Sequence, residues 1–405
     1  DGISLAQTAE GGLGEISAAL QRVRELAVQS ANATNTSVDR DALNKEVSQI
    51  LSEIDRVATQ TQFNGKNLLD GTLGNQAFQV GAFAGQTINV GLSTGMRTNQ
   101  IGQIAQGTGT AAVSATATTG GTTKINGTVV TDSVAGSANG QAADSAYAKA
   151  EAINSSGIEG VRAEAVTGTR KSNVASKGVD FSAAAETYTL KINSVTILSL
   201  TAADATATDL TQQELVDQVN LYTSQTGVTA AVNGTDINLT ASDGRNIDLT
   251  GTAYTGAGAA AFNVADVTRG SVKLTSADSI TIADTGNTLG FGATATVTKD
   301  TTTIDSIDVL SVANSNNTID RVDAAIAAVN SFRAELGAIQ NRFESATSQL
   351  NAQAENLTAA RSRIRDADFA AETADLTRNQ ILQQAGLAMV SQANSLPQQV
   401  LGLLQ

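Results

Sequence analysis

The residues of this chain that could do chemistry are mainly carboxylates and arginines. Asp236, Asp243 and Asp248 lie close enough in sequence to suggest a site for a hard cation, which prefers carboxylate oxygens. Their spacing does not match the calcium loop of an EF-hand, so the sequence disfavours a metal site there. The segment 167–172 (TGTRKS) contains Lys and Ser, as a phosphate-binding loop does, but lacks that loop's glycine spacing. We therefore predict a plain loop at 167–172, with no cofactor or metal site.

Two residue types are absent from the sequence, which contains neither His nor Cys. Without His, the chain cannot use His-based acid–base catalysis or form an HExxH zinc site. Without Cys, it forms no disulfide and no thiolate metal site. No nucleophile, base and orienting group stand at a recognisable spacing, so we predict that the protein is not an enzyme.

Charge and hydropathy argue against two further classes of function. The formal net charge of −14 disfavours a nucleic-acid binder, which would need a basic face. No apolar run approaches membrane-spanning length, and the first residues do not form a signal peptide. At 405 residues, the chain is long enough for two to four domains.

The element that organises the sequence is a heptad pattern near the C-terminus, over residues 316–365. Apolar residues recur there in steps of three and four, with Arg333 and Gln353 at two intervening positions. This spacing predicts one long helix whose apolar stripe slips phase once, near Leu336. Such a helix needs partner helices from this chain or from neighbouring chains to cover its stripe. The stripe residues are Ile319, Val322, Ile326, Val329, Leu336, Ile339, Phe343, Ala346, Leu350, Leu357, Ala360 and Ile364.

Residues 1–98 predict two further amphipathic helices and a β-hairpin. Turn-forming residues at 32–37 separate the helices, and the turn at Asn64 and Gly65 ends the second one. Alternating apolar residues on either side of the connection 81–85 then indicate the hairpin. The two helical stripes are Leu13, Ile16, Leu20, Val23 and Ala27, and Leu43, Val47, Ile50, Ile54 and Val57.

Between residues 99 and 302 the composition changes to Thr, Ala, Gly, Ser and Asn. Such a composition is typical of disorder, but ordered patterns recur and favour folded modules. A strand, helix and strand unit that starts near residue 124 is repeated from residue 191, which predicts two modules, at about 120–178 and 185–300. A shorter echo of the strands follows at 271–282.

Together these patterns predict an elongated, multi-domain α+β protein. The helices of residues 1–61 and the long C-terminal helix each have a stripe too narrow for an independent core, so we expect them to share one antiparallel bundle. The predicted domains are 1–98, the β-rich insert 99–302, the helical segment 303–365, and a terminal helix at 366–405. The insert is expected to project from the far end of the bundle.

Several long segments resemble bacterial flagellin. In the N-terminal region these are 1–10 (DGISLAQTAE), 20–30 (LQRVRELAVQS), 53–57 (EIDRV) and 62–65 (QFNG). In the C-terminal region they are 337–344 (GAIQNRFE), 362–372 (SRIRDADFAAE) and 380–386 (QILQQAG). The resemblance covers roughly the first 95 and last 90 residues, while the middle is only loosely similar to the family's variable insert.

The resemblance implies a secreted, extracellular filament subunit that assembles with copies of itself and supports motility. It also implies a flagellar export chaperone and a cap protein as partners, and a flagellum or cell-surface location. Flagellins normally start with a further helical segment that pairs with the C-terminal helix and is absent here, so we expect 366–405 to be mobile or to pack on a neighbouring molecule. Expected assembly residues are Leu13, Leu20, Phe343, Leu350, Leu357, Arg361, Arg363, Ile364 and Arg365.

The resemblance further places Arg22, Leu26 and Glu46 at the positions that contact the host Toll-like receptor in similar flagellins. Leu26 is expected to be an exposed apolar anchor, with a bundle-edge position as the alternative. Two alternatives for the whole chain stay open. One is an adhesin that binds glycans or other surfaces through the insert, and the other is a hook–filament junction protein.

Overall fold

The computed structural model describes residues 1–81, 84–171, 187–201, 210–252 and 266–402. It confirms the expected α+β class, with helices at both chain ends and strands between them. Within these residues the helices are α1 (Gly2–Ala31), α2 (Ser37–Gln60), α3 (Ala146–Ser155), α4 (Gln212–Leu221), α5 (Thr223–Thr226) and α6 (Val312–Gly402).

The strands pair in antiparallel hairpins and small sheets. Before the insert they are β1 (Gln62–Phe63), β2 (Lys66–Asn67), β3 (Gly74–Gln79) and β4 (Thr87–Leu92). In the insert they are β5 (Ala105–Thr108), β6 (Thr123–Ile125), β7 (Thr128–Val129), β8 (Val161–Val166), β9 (Gly168–Lys171), β10 (Thr187–Ile192), β11 (Val195–Thr201), β12 (Thr229–Asn233), β13 (Asp236–Ala241), β14 (Ile247–Thr252), β15 (Asp266–Thr268), β16 (Ser271–Ser276), β17 (Ile280–Asp284) and β18 (Thr294–Val297).

The chain divides into two compact units. The first contains Asp1–Thr8, Leu73–Ser93 and Ala334–Gln405, and the second contains Ala9–Thr72 and Thr94–Arg333. These limits differ from the predicted domains, because both α1 and α6 contribute residues to both units.

In the second unit, α1, α2 and the start of α6 form a helical bundle with a common apolar core. Ion pairs fix the helix directions. Arg24 Nε lies 2.6 Å from Asp323 Oδ1, and Arg333 Nη2 lies 2.7 Å from Glu10 Oε1, so α1 runs antiparallel to α6. The buried core residues include Leu13, Ile16, Leu20 and Val23 of α1, Val47, Leu51, Ile54 and Ala58 of α2, and Val322, Ala325, Val329 and Phe332 of α6.

The buried stripe of α6 keeps one phase through Leu336, so the predicted slip is wrong. Phe332, only 3% exposed, fills the position between Val329 and Leu336. Arg333 lies beside the stripe instead and pairs with Glu10. Because Phe332 restores the alternation of three and four, no stutter in the heptad is needed.

A capping box starts α2. The Thr36 hydroxyl accepts a hydrogen bond from the Asp39 N–H, and the Thr36 N–H donates to the Asp39 carboxylate at 3.0 Å. That N–H and the Thr36 hydroxyl lower the pKa of Asp39. The Arg40 guanidinium donates to the carbonyls of Ser30, Asn32 and Asn35, which closes the predicted turn over the last turn of α1.

In the first unit, the predicted hairpin is confirmed as β3 and β4, which pair in register with Phe78 opposite Ile88. The Phe78 ring meets the Phe343 ring of α6 edge to face, with 5.4 Å between the ring centres. A Cβ atom at Gly2 would lie 2.4 Å from the same Phe343 ring, so the start of α1 approaches α6 as closely as only glycine allows. Phe343 therefore joins three segments of this unit.

The insert contains two copies of one unit, and an asparagine makes the same hydrogen bond in each copy. Asn126 and Asn193 each occupy a left-handed turn and accept, through Oδ1, the N–H of Thr281 and Asp248 respectively. Each copy contains a hairpin, a helix and three strands. The first copy consists of β6, β7, α3, β8, β16 and β17, and the second of β10, β11, α4, β12, β13 and β14.

The two copies are nested, which corrects the predicted module limits of 120–178 and 185–300. Strand β16 pairs with β8, and β17 pairs with β6, so residues 271–284 complete the first copy. The second copy is inserted between β8 and β16. The short echo noted in the sequence is therefore the end of the first copy, and not a continuation of the second.

Arg321 of α6 bonds to both segments that connect the insert to the helices, one at Gly102 and the other at Thr302. The buried guanidinium donates to the carbonyls of Gly102 and Thr302 and forms an ion pair with Asp300 at 2.5 Å. Asp300 in turn donates its backbone N–H to the Ile104 carbonyl. This connection is thus held by one charged group with several partners.

Lys149 of α3 is fully buried at a position that the second copy fills with an apolar side chain. It stands four residues after the N-cap Ser145, as the buried Leu215 stands four residues after the N-cap Thr211. Its Nζ donates to the carbonyls of Ser114 and Thr288, both at 2.8 Å. Burial lowers the pKa of this amine from 10.5 to about 8.

This burial predicts a pH-dependent stability. Between pH 8 and 10.5 the unfolded chain binds a proton at residue 149 that the folded chain has lost, so the free energy of unfolding should rise with pH. The rise contributed by this group is at most about 3 kcal/mol. Urea unfolding across this range should show the rise in the parent chain and not in Lys149→Leu.

The control is Lys124→Leu, which removes the same charge from an exposed position. It should retain the rise. Parallel curves for the parent chain and Lys149→Leu would contradict the prediction.

Candidate assembly and receptor-contact surfaces

The predicted assembly residues divide into a buried set and an exposed set. Leu13 and Leu20 lie in the bundle of the second unit, and Phe343 is packed within the first. Leu350, Leu357 and Ile364 are 37%, 71% and 66% exposed, so within the described residues the expected covering of the stripe as far as 365 is wrong.

The exposed set continues the buried stripe without a change of phase. Leu350, Leu357 and Ile364 follow Phe343 at intervals of seven residues, so they lie on the same face of α6. Every described side chain from 347 to 394 is exposed, and we call this segment the uncovered stretch. Its other large apolar residues are Phe369, Leu376, Ile381, Leu382, Leu387, Met389 and Val390.

In the first unit, a shallow groove of about 370 Å³ lies beside the start of the uncovered stretch. One wall is the end of the β3–β4 hairpin, around Val80 and Thr87, and the other is α6 from Ala346 to Gln353. Leu350 lies in this groove. The hairpin end and the first exposed stripe residue therefore form one continuous surface.

Three arginines form a basic group in the uncovered stretch. Arg361, Arg363 and Arg365 are all exposed, as is Asp368. Arg361 and Arg365 stand four residues apart and so lie on one face of α6, with Ile364 close by. On a chain with a formal net charge of −14, these three arginines concentrate positive charge in one part of α6.

Of the predicted receptor contacts, Arg22 and Glu46 are brought together on the surface of the second unit. Arg22 Nη2 lies 2.7 Å from Glu46 Oε1, and Arg22 Nη1 lies 3.1 Å from Glu25 Oε2. Both side chains of the Arg22–Glu46 pair are about half exposed, and the hydrogen bond to Glu46 raises the pKa of Arg22. This surface pair can present a guanidinium and a carboxylate to a partner.

The expected exposure of Leu26 is wrong, because this side chain is only 1% exposed. Leu26 stands three residues after Val23 and four before Ser30, both of which are fully buried. Helix α1 packs against both α2 and α6, so its buried face is wider than a stripe that meets one partner. Leu26 therefore belongs to the buried core and cannot serve as an exposed anchor.

The residues considered for metal or phosphate chemistry have other roles. Asp243 forms an ion pair with Arg245 at 2.7 Å, and no three acidic side chains come together in the part of the chain that the structure describes. Residues 168–171 form strand β9, which pairs with β13, so the predicted loop at 167–172 is wrong. Ser172 lies outside the described residues.

Comparisons with known proteins agree with the helical ends. The model of the bacterial flagellin N-terminal helical region matches residues 1–73, and that of the C-terminal helical region matches residues 319–404. The B-type flagellin of Pseudomonas aeruginosa is 37% identical over 436 residues, covering all of this chain and 86% of that protein. The chain belongs to the bacterial flagellin family. The flagellin of Salmonella typhimurium is 33% identical, with the same two coverages.

Among solved structures, FliC from Burkholderia pseudomallei is 22% identical and has a TM-score of 0.36. It covers 84% of this chain and 100% of that one. Within the described ranges, this flagellin has no helix that combines the length and apolarity needed to cross a membrane.

The heptad pattern did not predict where the apolar stripe of α6 becomes exposed in this flagellin. Ile319, Ile326 and Ala346 are half-buried, the other apolar stripe positions up to Phe343 are buried, and those from Leu350 onward are exposed. Polar residues at intervening positions gave no signal, because the stripe stays buried beyond Arg333 and is already exposed before Gln353. The groove beside the hairpin had no signal in the sequence, because it depends on contacts between residues far apart in the chain.

Proposed function

We propose that this chain is a structural subunit of the bacterial flagellar filament that assembles with copies of itself. The observation that carries the proposal is the uncovered stretch, whose apolar face continues the buried stripe of the same helix. Covering a Leu or Ile side chain contributes about 1.5–3 kcal/mol, so the stretch is stabilised strongly by a helical partner. A contact between different surfaces of successive copies produces an open helical filament.

The proposal includes partners and a location that rest on family membership alone. These are a flagellar export chaperone, a cap protein, and a secreted, extracellular position on the flagellum or cell surface. The role we propose is structural and not catalytic, and it supports motility. Leu13 and Leu20 act in assembly by shaping the bundle, and Phe343 acts by ordering the first unit. Leu350, Leu357, Ile364, Arg361, Arg363 and Arg365 make the contacts between subunits.

The two alternatives have less support. A glycan-binding adhesin would use exposed aromatic side chains. Of the insert's aromatics that the structure describes, Tyr188 is buried, and Tyr147, Tyr222 and Phe291 are half-buried. The insert's other aromatic residues, Phe181, Tyr254 and Phe262, lie outside the described residues. A hook–filament junction protein is disfavoured because the curated relatives at 31–37% identity are flagellins by name.

The exposed Arg22–Glu46 pair supports a second proposal, a contact with a Toll-like receptor of a host. We propose that these two charged side chains make the contact, and that Leu26 acts by packing under them. The surface orientation of the pair favours this, since each side chain is about half exposed.

The assembly proposal predicts that charge on the uncovered stretch blocks filament formation without unfolding the subunit. In the full-length protein, Leu350→Asp combined with Leu357→Asp should leave the melting temperature of the monomer nearly unchanged, since both residues are exposed. Electron microscopy should show no filaments. The matched control is Val38→Asp, which places the same charge at a 73% exposed apolar residue of α2. Normal filaments from the double variant would refute the proposal.

The receptor proposal predicts a separation between signalling and stability. Arg22→Ala and Glu46→Ala should each lower receptor activation, while the free energy of unfolding changes by less than about 1 kcal/mol, as for other exposed ion pairs. Leu26→Ala should cost about 2–5 kcal/mol, so its effect on activation should follow its loss of folding. Arg56→Ala, which breaks the exposed Arg56–Glu53 pair, is the control. Unchanged activation by both charge variants would exclude the contact.

A further inference from the structure

The outer edge of strand β12 is blocked by a side chain from the preceding helix. Asn220 of α4 accepts a hydrogen bond from the Ala230 N–H through Oδ1 at 2.8 Å. Its Nδ2 donates to the Ala230 carbonyl at 3.0 Å. These two bonds are the ones that a neighbouring antiparallel strand makes with a residue of a hydrogen-bonded pair. Asn220 therefore occupies the place of a further strand.

Two threonines block the same edge one step earlier. The Thr226 hydroxyl accepts from the Val228 N–H at 3.2 Å, and the Thr223 hydroxyl donates to the Val228 carbonyl at 3.0 Å. Val228 precedes Ala230 by two residues, so its backbone groups point to the same side of the strand. The helical segment 220–226 thus satisfies two successive edge positions.

The first copy of the repeat contains the same arrangement at strand β8. Asn154 of α3 accepts from the Ala163 N–H at 2.8 Å and donates to the Ala163 carbonyl at 2.9 Å. Asn154 and Asn220 each stand nine residues after the N-cap of their helix, Ser145 or Thr211. Strands β8 and β12 both lie at the edge of their described sheets. Blocking of the edge is therefore a property of the repeated unit.

The sequence of β12 shows why its edge needs such a block. The strand reads Thr-Ala-Ala-Val-Asn, with neither a charged residue nor a proline to hinder pairing with another strand. Val232 is 41% exposed, and its backbone points to the same side as that of Ala230. Nothing in the composition of the strand itself opposes association.

We propose that the outer edge of β12 is a latent strand-pairing surface, and that Asn220 keeps it closed. The partner it fits is the same edge of a second copy of this chain, paired antiparallel across a two-fold axis. Asn154 keeps the corresponding edge of β8 closed. This inference is independent of filament assembly, because it concerns the insert and a different type of contact.

The test is the association of Asn220→Ala in solution, measured by sedimentation velocity over a concentration series. The variant should keep a cooperative melting transition and sediment increasingly as a dimer as concentration rises, relative to the parent chain. Gln213→Ala is the matched control, since Gln213 lies on the same helix and its side chain donates to Asp217 of that helix. It should behave as the parent chain does.

A second substitution decides whether the dimer uses this edge. Val232→Pro removes an N–H that points away from β13, so it should leave the β12–β13 pairing intact. When it is combined with Asn220→Ala, the double variant should sediment as the parent chain does. A dimer that persists with Val232→Pro, or parent-like sedimentation of Asn220→Ala at every concentration, would overturn the proposal. If Asn220→Ala does not fold, Asn220→Ser, whose shorter side chain cannot make both bonds to Ala230, takes its place under the same criteria.

Discussion

The antiparallel packing of α1 along the first part of α6 is the constraint on which the structure depends. It brings together residues about 300 positions apart, as the Arg24–Asp323 pair shows. Ordering so long a connection is entropically expensive, so the apolar stripes of the three helices must contribute most of the stabilisation. The ion pairs beside the stripe are exposed and contribute little energy, but they fix which residues face one another.

The same packing explains why the insert can be large without disturbing the helices. Its two chain segments leave the bundle side by side, where Arg321 satisfies carbonyls of both and pairs with Asp300. From there the insert is built from one folding unit used twice, with the second copy placed between two strands of the first. Each copy closes its own core and its own exposed strand edge, so neither requires the helices for that purpose.

Sequence periodicity predicted the elements well because it reports which face of an element is buried. It predicted the bundle, the hairpin and the repeat, but it failed where burial depends on the number of partners. Leu26 is buried because α1 has two partner helices, whereas Leu350, on the same face of α6 as the buried Phe343, is 37% exposed. The nested repeat was missed because β16 pairs with β8 across about a hundred intervening residues, a pairing that local patterns do not reveal. Strand β9 was missed for the same reason, since its partner β13 lies far along the chain.

The central claim is that, among the described residues, the apolar face of α6 is covered as far as Phe343 and is exposed through the uncovered stretch. Amide hydrogen exchange along α6 in the monomer tests it most directly, because exchange reports local opening of each segment. We predict strong protection from Ser315 to Phe343 and fast exchange through the uncovered stretch. Equal protection along the whole of α6 in the monomer would contradict the claim.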